Sequence, residues 1–214
     1  MSSNKIKIFV VHKGGSCLQD RIYKLINFTL EEDVFEFARL MRTSDINKED
    51  IVILRHPLNK LISEYYSYGW SHSTHEHTEA QLKFREKTRK QNLDEYIIHN
   101  NQKLHLFYDK AFSATKNIIK YEDIMDYPQK YLRFVLKKID KEKIFDELWV
   151  GLKHEFEFNG KDLSEDIIAE RSKSHIRNLD HLEYQKKISP ATLKKLAPKT
   201  IETIKIYNTL PNII

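Results

Sequence analysis

Cysteine occurs once in the 214 residues, so no internal disulfide can form and no thiolate zinc site can be assembled from this chain. Glycine and proline number five each, too few for a collagen-like, linker-rich or loop-dominated protein. No apolar run approaches the ~20 residues that a membrane-spanning helix needs. The opening Met1–Lys5 is polar, and the apolar run after it, Ile6–Val11, is short. A signal peptide carries a longer apolar stretch and a small-residue cleavage site, so a soluble, cytoplasmic protein is expected. Charge of one sign is also scarce: 36 Lys+Arg stand against 31 Asp+Glu, a net +5. That excess suits an anionic small ligand or a polyanionic acceptor and does not support nucleic-acid binding. What remains is a globular composition, 40% hydrophobic and 31% charged, long enough to bury a full core as one domain over residues 1–214.

Periodicity then orders the chain. Ile6–Val11 is β-branched and nearly all apolar, as a strand covered on both faces would be. His12-Lys13-Gly14-Gly15-Ser16 breaks it, and Leu18, Ile22, Leu25 and Ile26 follow at helical spacing. Val34–Leu40 reads as a second strand and Ile51–Leu54 as a third, ending at Arg55-His56-Pro57 before a helix over Leu58–Trp70. Ser71–Asp109 is helical and charged, with breaks near Thr74–Thr78 and Asn100-Asn101. Asn117–Tyr121 is a fourth strand. Pro128 opens an apolar helix, Ser189-Pro190 is a cap followed by a first-turn proline, and Pro198 restarts a last helix ending near Tyr207. This order predicts a three-layer α/β/α fold around a central, mostly parallel sheet.

Two constellations carry chemistry. The first is the strand–loop–helix at Lys13. A glycine loop entering a helix aims several backbone N–H groups at one place, where the helix dipole favours an anion. Gly14 and Gly15 permit close approach, Ser16 adds a hydroxyl and Lys13 a mobile cation. The alternative is a plain turn with an exposed lysine. The G-x-x-x-x-G-K-[ST] pattern is absent, as is a clear magnesium-binding aspartate after a strand, which disfavours a nucleoside-triphosphate kinase. The second constellation is Arg55-His56-Pro57 with Ser63 eight residues on. Ligands of parallel sheets gather at the carboxyl ends of strands. A guanidinium and a hydroxyl there suit a phosphate, although each alone reads equally as a surface residue.

Together these residues resemble the sulfotransferase superfamily, with its P-loop-like fold. Its 5′-phosphosulfate loop, P-K-S-G-T-T-W or K-G-G-T, stands here as Lys13-Gly14-Gly15-Ser16-Cys17-Leu18. Its 3′-phosphate motif, R-[DN]-P-x-x-x-x-x-S-x-Y, stands as Arg55-His56-Pro57 through Ser63 and Tyr65. A strand ending Y-E-D-[LM] before a proline helix appears as Tyr121-Glu122-Asp123-Ile124 with Pro128. A trace of R-K-G-x-x-G-D-W-K remains in Arg177 and Tyr184, with Lys186 close by. The resemblance covers roughly residues 5 to 207. It implies transfer of a sulfuryl group from 3′-phosphoadenosine 5′-phosphosulfate (PAPS) to a hydroxyl or amine, with an anionic glycan among the acceptors and no metal. Lys13, Gly14, Gly15, Ser16 and Cys17 would then hold the 5′-phosphosulfate, and Arg55, Ser63 and Arg177 the 3′-phosphate. Tyr121 would lie near the adenine, while Leu18 replaces the family's frequent tryptophan. Lys13 would also act catalytically, on the bridging oxygen that gains charge as the bond breaks.

The base that activates the acceptor stays open between Glu36 on the second strand and the cluster His72-Ser73-Thr74-His75-Glu76-His77. An ordinary imidazole pKa near ~6.5 suits proton removal by His72 or His75. The spacing of that cluster matches no standard zinc pattern. The basic run Lys83–Gln91 reads as a solvated helix face or as a contact for an anionic acceptor. A non-catalytic nucleotide-binding or scaffold protein on the same fold is the competing reading.

Overall fold

The computed structural model describes residues 5–41, 43–70, 78–156 and 185–213. In chain order the elements are β1 (Ile6–Val10), α1 (Ser16–Leu30), β2 (Phe35–Arg39), β3 (Ile51–Leu54), α2 (Pro57–Trp70), α3 (Glu79–Arg89), α4 (Leu93–Asn100), α5 (His105–Ala114), β4 (Ile118–Lys120), α6 (Tyr121–Asp126), α7 (Pro128–Lys137), α8 (Phe145–Phe156), a short α9 (Pro190–Leu193) and α10 (Pro198–Thr209). They fall into two compact units, one of Met1–His56, His105–Phe158 and Thr203–Ile214, the other of Pro57–Leu104 and Asn159–Glu202.

The first unit holds the sheet. Its strand order is β2-β1-β3-β4, and every pairing is parallel, with Ile8 opposite Phe37 and Ile51, and Ile53 opposite Ile119. The alternation of side chains assigns the faces. Ile8, Val10, Ile51, Ile53 and Ile119 join one core with Ile22 and Ile26 of α1, Val135 and Leu136 of α7, and Leu148 and Leu152 of α8. Phe9, Val52 and Leu54 point the other way and are equally buried. A sheet covered on both faces is the α/β/α arrangement, and it explains why β3 has no polar residue in its four positions. Burying such side chains contributes about 1.5–3 kcal/mol each.

The sequence reading places all four strands, and the differences lie at their ends. The fourth strand stops at Lys120, and Tyr121 is the first residue of α6 rather than the last of β4. Helix α1 begins at Ser16, not Leu18. Its last turn is tied to β2 by Asn27, whose Nδ2 donates to the Phe35 carbonyl at 2.9 Å and whose Oδ1 accepts the Phe35 N–H at 3.1 Å. At the amino end of the sheet Asp50 is buried, and its carboxylate accepts the N–H groups of Lys7 and Asn47 at 3.0 and 2.7 Å. Thr115 donates its hydroxyl to the Lys48 and Asp50 carbonyls there.

The second unit is helical in its described part. Asn92 and Glu95 close a capping box at the start of α4, a helix boundary beyond the breaks that the sequence places near Thr74–Thr78 and Asn100-Asn101. Ser189 caps α9 by accepting the Thr192 N–H, with Pro190 in the first turn as expected. Asn101 is buried and satisfied: its Nδ2 donates to Ile97 and Ile98 carbonyls, and its Oδ1 accepts the Ala197 N–H at 2.7 Å. On α2 a buried ion pair joins Lys60 to Glu64 at 2.6 Å. Taking both charges out of water offsets much of their mutual attraction.

Candidate functional site

The parallel register decides what meets at the carboxyl edge of the sheet. Val10, Ile53 and Ile119 lie side by side across β1, β3 and β4. Lys13 is three residues past Val10, Arg55 two past Ile53, and Tyr121 two past Ile119. The three therefore leave the sheet at one edge. Because β1 turns towards β2 on one side while β3 leads to β4 on the other, the edge between β1 and β3 is a topological switch point, where open α/β sheets form a crevice.

The loop itself is tight. The Gly14 N–H donates to the Val11 carbonyl at 2.8 Å, and a Cβ at Gly14 would stand 2.9 Å from that same oxygen. Gly15 takes φ 80° as the cap of α1, a left-handed conformation that favours glycine, and a Cβ there would overlap the Tyr121 ring. Lys13 also lies at φ 68°, which residues bearing a Cβ disfavour. The helical ladder starts with Gln19 N–H on the Gly15 carbonyl at 3.0 Å, leaving the amides of Ser16, Cys17 and Leu18 at the helix mouth. No acidic residue stands in the first turn of α1, so nothing there competes with an incoming anion.

Arg55 closes the loop from β3. It is 8% exposed. Its Nη1 donates to the Lys13 carbonyl at 3.0 Å, and its guanidinium carbon lies 5.1 Å from the centroid of the Tyr121 ring. The Arg55 backbone is pinned as well, by the Tyr108 hydroxyl donating to its carbonyl at 2.6 Å. Next to it, the Glu122 carboxylate accepts the His56 N–H at 3.1 Å and the Tyr207 hydroxyl at 2.6 Å. The His56 ring meets Tyr207 edge-on at 5.5 Å. Burial pushes the His56 imidazole below its ordinary value; Glu122 pulls it up, and Arg55 adds to the lowering. Burial also raises the Tyr207 phenol, reinforced by Glu122.

Behind the first turn of α1 lies a buried polar chain that sequence reading did not foresee. Gln19 is fully buried; its Oε1 accepts the Tyr131 hydroxyl at 2.5 Å, and Tyr131 is in turn hydrogen-bonded to Tyr23. Desolvation raises both phenols. A glutamine one turn into a helix carries no sequence signal for burial. The partner lies 112 residues away.

The structure thus brings Lys13, Gly14, Gly15, Ser16, Arg55 and Tyr121 to one edge, with the backbone of Cys17 in the adjoining turn. Glu36 is not at that edge. It is exposed, in register with Lys7 near the start of β1, and three residues before Arg39, about 10 Å along the strand from its carboxyl end. Ser63 sits on α2, in the second unit, partly buried. His72, His75 and Arg177 lie outside the described residues, as does Tyr184. Among the described residues no helix is long and apolar enough to cross a membrane. No protein-family model, no curated protein and no solved structure matches this chain.

Proposed function

We propose that the chain is a sulfotransferase that moves a sulfuryl group from 3′-phosphoadenosine 5′-phosphosulfate to a hydroxyl or amine acceptor, carbohydrates among them. The observation that carries this reading is the Lys13–Ser16 loop at the switch point of an all-parallel sheet, joined to Arg55 by the hydrogen bond to the Lys13 carbonyl. The donor set fits a phosphosulfate. It comprises helix-mouth amides, a serine hydroxyl and a lysine, with two close glycine contacts keeping side chains out of the loop. The donor supplies an activated sulfuryl group. The protein's part is to position it and to stabilise charge on the oxygen that leaves, a task for the Lys13 ammonium and the amides after it. A carboxylate–hydroxyl pair for magnesium is absent from this loop, so chelator leaves turnover unchanged.

The test is a turnover screen with the sulfate donor against glycans, phenols and amines, beside calorimetry with adenosine 3′,5′-bisphosphate. Transfer to any acceptor supports the assignment. The exposed mid-strand position of Glu36 favours the second reading, a non-catalytic nucleotide-binding or scaffold protein on this fold. Tight bisphosphate binding with no turnover on any acceptor would select it. Absence of bisphosphate binding overturns the sulfotransferase and the nucleotide-binding reading, and loss of transfer in chelator would overturn the metal-free mechanism.

A further inference from the structure

The guanidinium of Arg55 is engaged with the loop, and this changes what the residue does. We infer that Arg55 and Tyr121 form a latch that holds the β1–α1 loop in its anion-receiving shape, so that Arg55 acts on a bound nucleotide through the loop. The inference rests on the reading that this loop takes a nucleotide's 5′-phosphate, and it departs from the role that the sequence resemblance gives Arg55, a direct grip on a 3′-phosphate.

Three contacts close a triangle. Arg55 Nη1 donates to the Lys13 carbonyl at 3.0 Å. The Tyr121 ring lies so close to Gly15 that no side chain fits between them. The Arg55 guanidinium carbon faces that ring at 5.1 Å, within the range of cation–π attraction. The corners belong to three separate elements, the loop after β1, the end of β3 and the start of α6, so the latch joins strands that are far apart in sequence.

What it holds needs holding. Lys13 and Gly15 both sit at positive φ, 68° and 80°, and a residue with a Cβ keeps such a conformation only when its surroundings impose it. A charge-assisted hydrogen bond to the Lys13 carbonyl is such an imposition. Arg55 is itself immobilised, since Tyr108 donates to its carbonyl and Glu122 accepts the next N–H. A side chain pinned at its backbone, set over a ring and bonded to a carbonyl suits a brace.

The two roles separate on ligands with and without a 3′-phosphate. Calorimetry compares adenosine 3′,5′-bisphosphate with adenosine 5′-phosphate on the wild type, Arg55→Ala, Arg55→Lys, Tyr121→Leu and Tyr121→Phe. A latch weakens both ligands by the same factor, about tenfold or more in Arg55→Ala. Tyr121→Leu shifts both in the same direction, and Tyr121→Phe, which keeps the ring, restores wild-type affinity. A loss confined to the bisphosphate overturns the latch and returns Arg55 to the 3′-phosphate. Amide hydrogen exchange on the ligand-free proteins gives a second readout. Exchange at Gly14 and Gln19, whose N–H groups bond the Val11 and Gly15 carbonyls, should rise roughly tenfold in Arg55→Ala and Tyr121→Leu, with the amides of β2 unchanged. Unaltered loop exchange overturns the latch whatever the ligands do. If the wild type binds neither nucleotide while loop exchange still responds to the variants, the sulfotransferase reading falls together with the latch's action on a nucleotide, and only its hold on the loop stands. Should Arg55→Ala not fold, Arg55→Lys carries both comparisons, since a lysine lacks the planar fork.

Discussion

The two ends of the sheet are built from the same strands and differ in how their polar groups are spent. At the amino end, Asp50 accepts two backbone N–H groups and Thr115 donates to two carbonyls. Asn117 adds bonds from its Nδ2 to the carbonyls of Lys48 and Glu49. Those side chains are committed to neighbouring backbone, and positive φ at that end falls at Glu31, where α1 closes before β2. At the carboxyl end the backbone of Lys13 and Gly15 is at positive φ, a cation crosses between strands, and helix-mouth amides stand ready for a ligand. Helix-mouth donors collect at one end of the sheet, and satisfied side-chain bonds at the other.

Substitution at each end tests that division. The largest expected effect is at Lys13. On the proposed function, Lys13→Ala should lower single-turnover sulfate transfer by at least ~100-fold, since the ammonium would meet charge that develops only as the bond breaks. Bisphosphate affinity and the urea midpoint change little. An active Lys13→Ala enzyme would make the loop a phosphate cradle only. The mirror image is Asp50→Ala, which strands two backbone N–H groups and costs about 3 kcal/mol of stability in urea unfolding, with nucleotide affinity unchanged in the folded fraction. A matching loss of affinity would show that the two ends are not separable.

The smallest effect concerns pH. His56 is held below its ordinary value of 6.5, mainly by burial. Above that value the ring is neutral in both states. As pH falls through it, the unfolded chain takes up a proton that the folded protein resists, and stability declines until the folded pKa is passed. His56→Asn should reduce the stability difference between pH 8 and pH 5.5, read as the change in urea midpoint. An unchanged difference would mean that the ring is not held neutral in the fold.

How legible these features were follows from their range along the chain. The strands, the Gly14-Gly15 loop and the proline-led helices at Pro128, Pro190 and Pro198 announce themselves in a few neighbouring residues. The Asn92–Glu95 capping box was equally local, and the N-x-x-E spacing could have located the helix start at Leu93. Glu122 receiving both His56 and Tyr207, Gln19 meeting Tyr131, and Arg55 bonding the Lys13 carbonyl are different. Each joins residues dozens of positions apart, and composition gives no hint of partners at that distance. The Lys60–Glu64 pair escapes a sequence reading for another reason. An i, i+4 ion pair is normally a surface feature, and here it is buried.

The buried phenols of Tyr23, Tyr131 and Tyr207 set an upper limit to the conditions this fold tolerates. Each has its ionisation pushed above the ordinary value of 10.0. Below that value the proton is held in both states, and above it the unfolded chain releases protons that the native interior retains. Alkali therefore works against the fold through tyrosine. In a base titration followed by phenolate absorbance, these three should appear only together with loss of the far-ultraviolet helix signal.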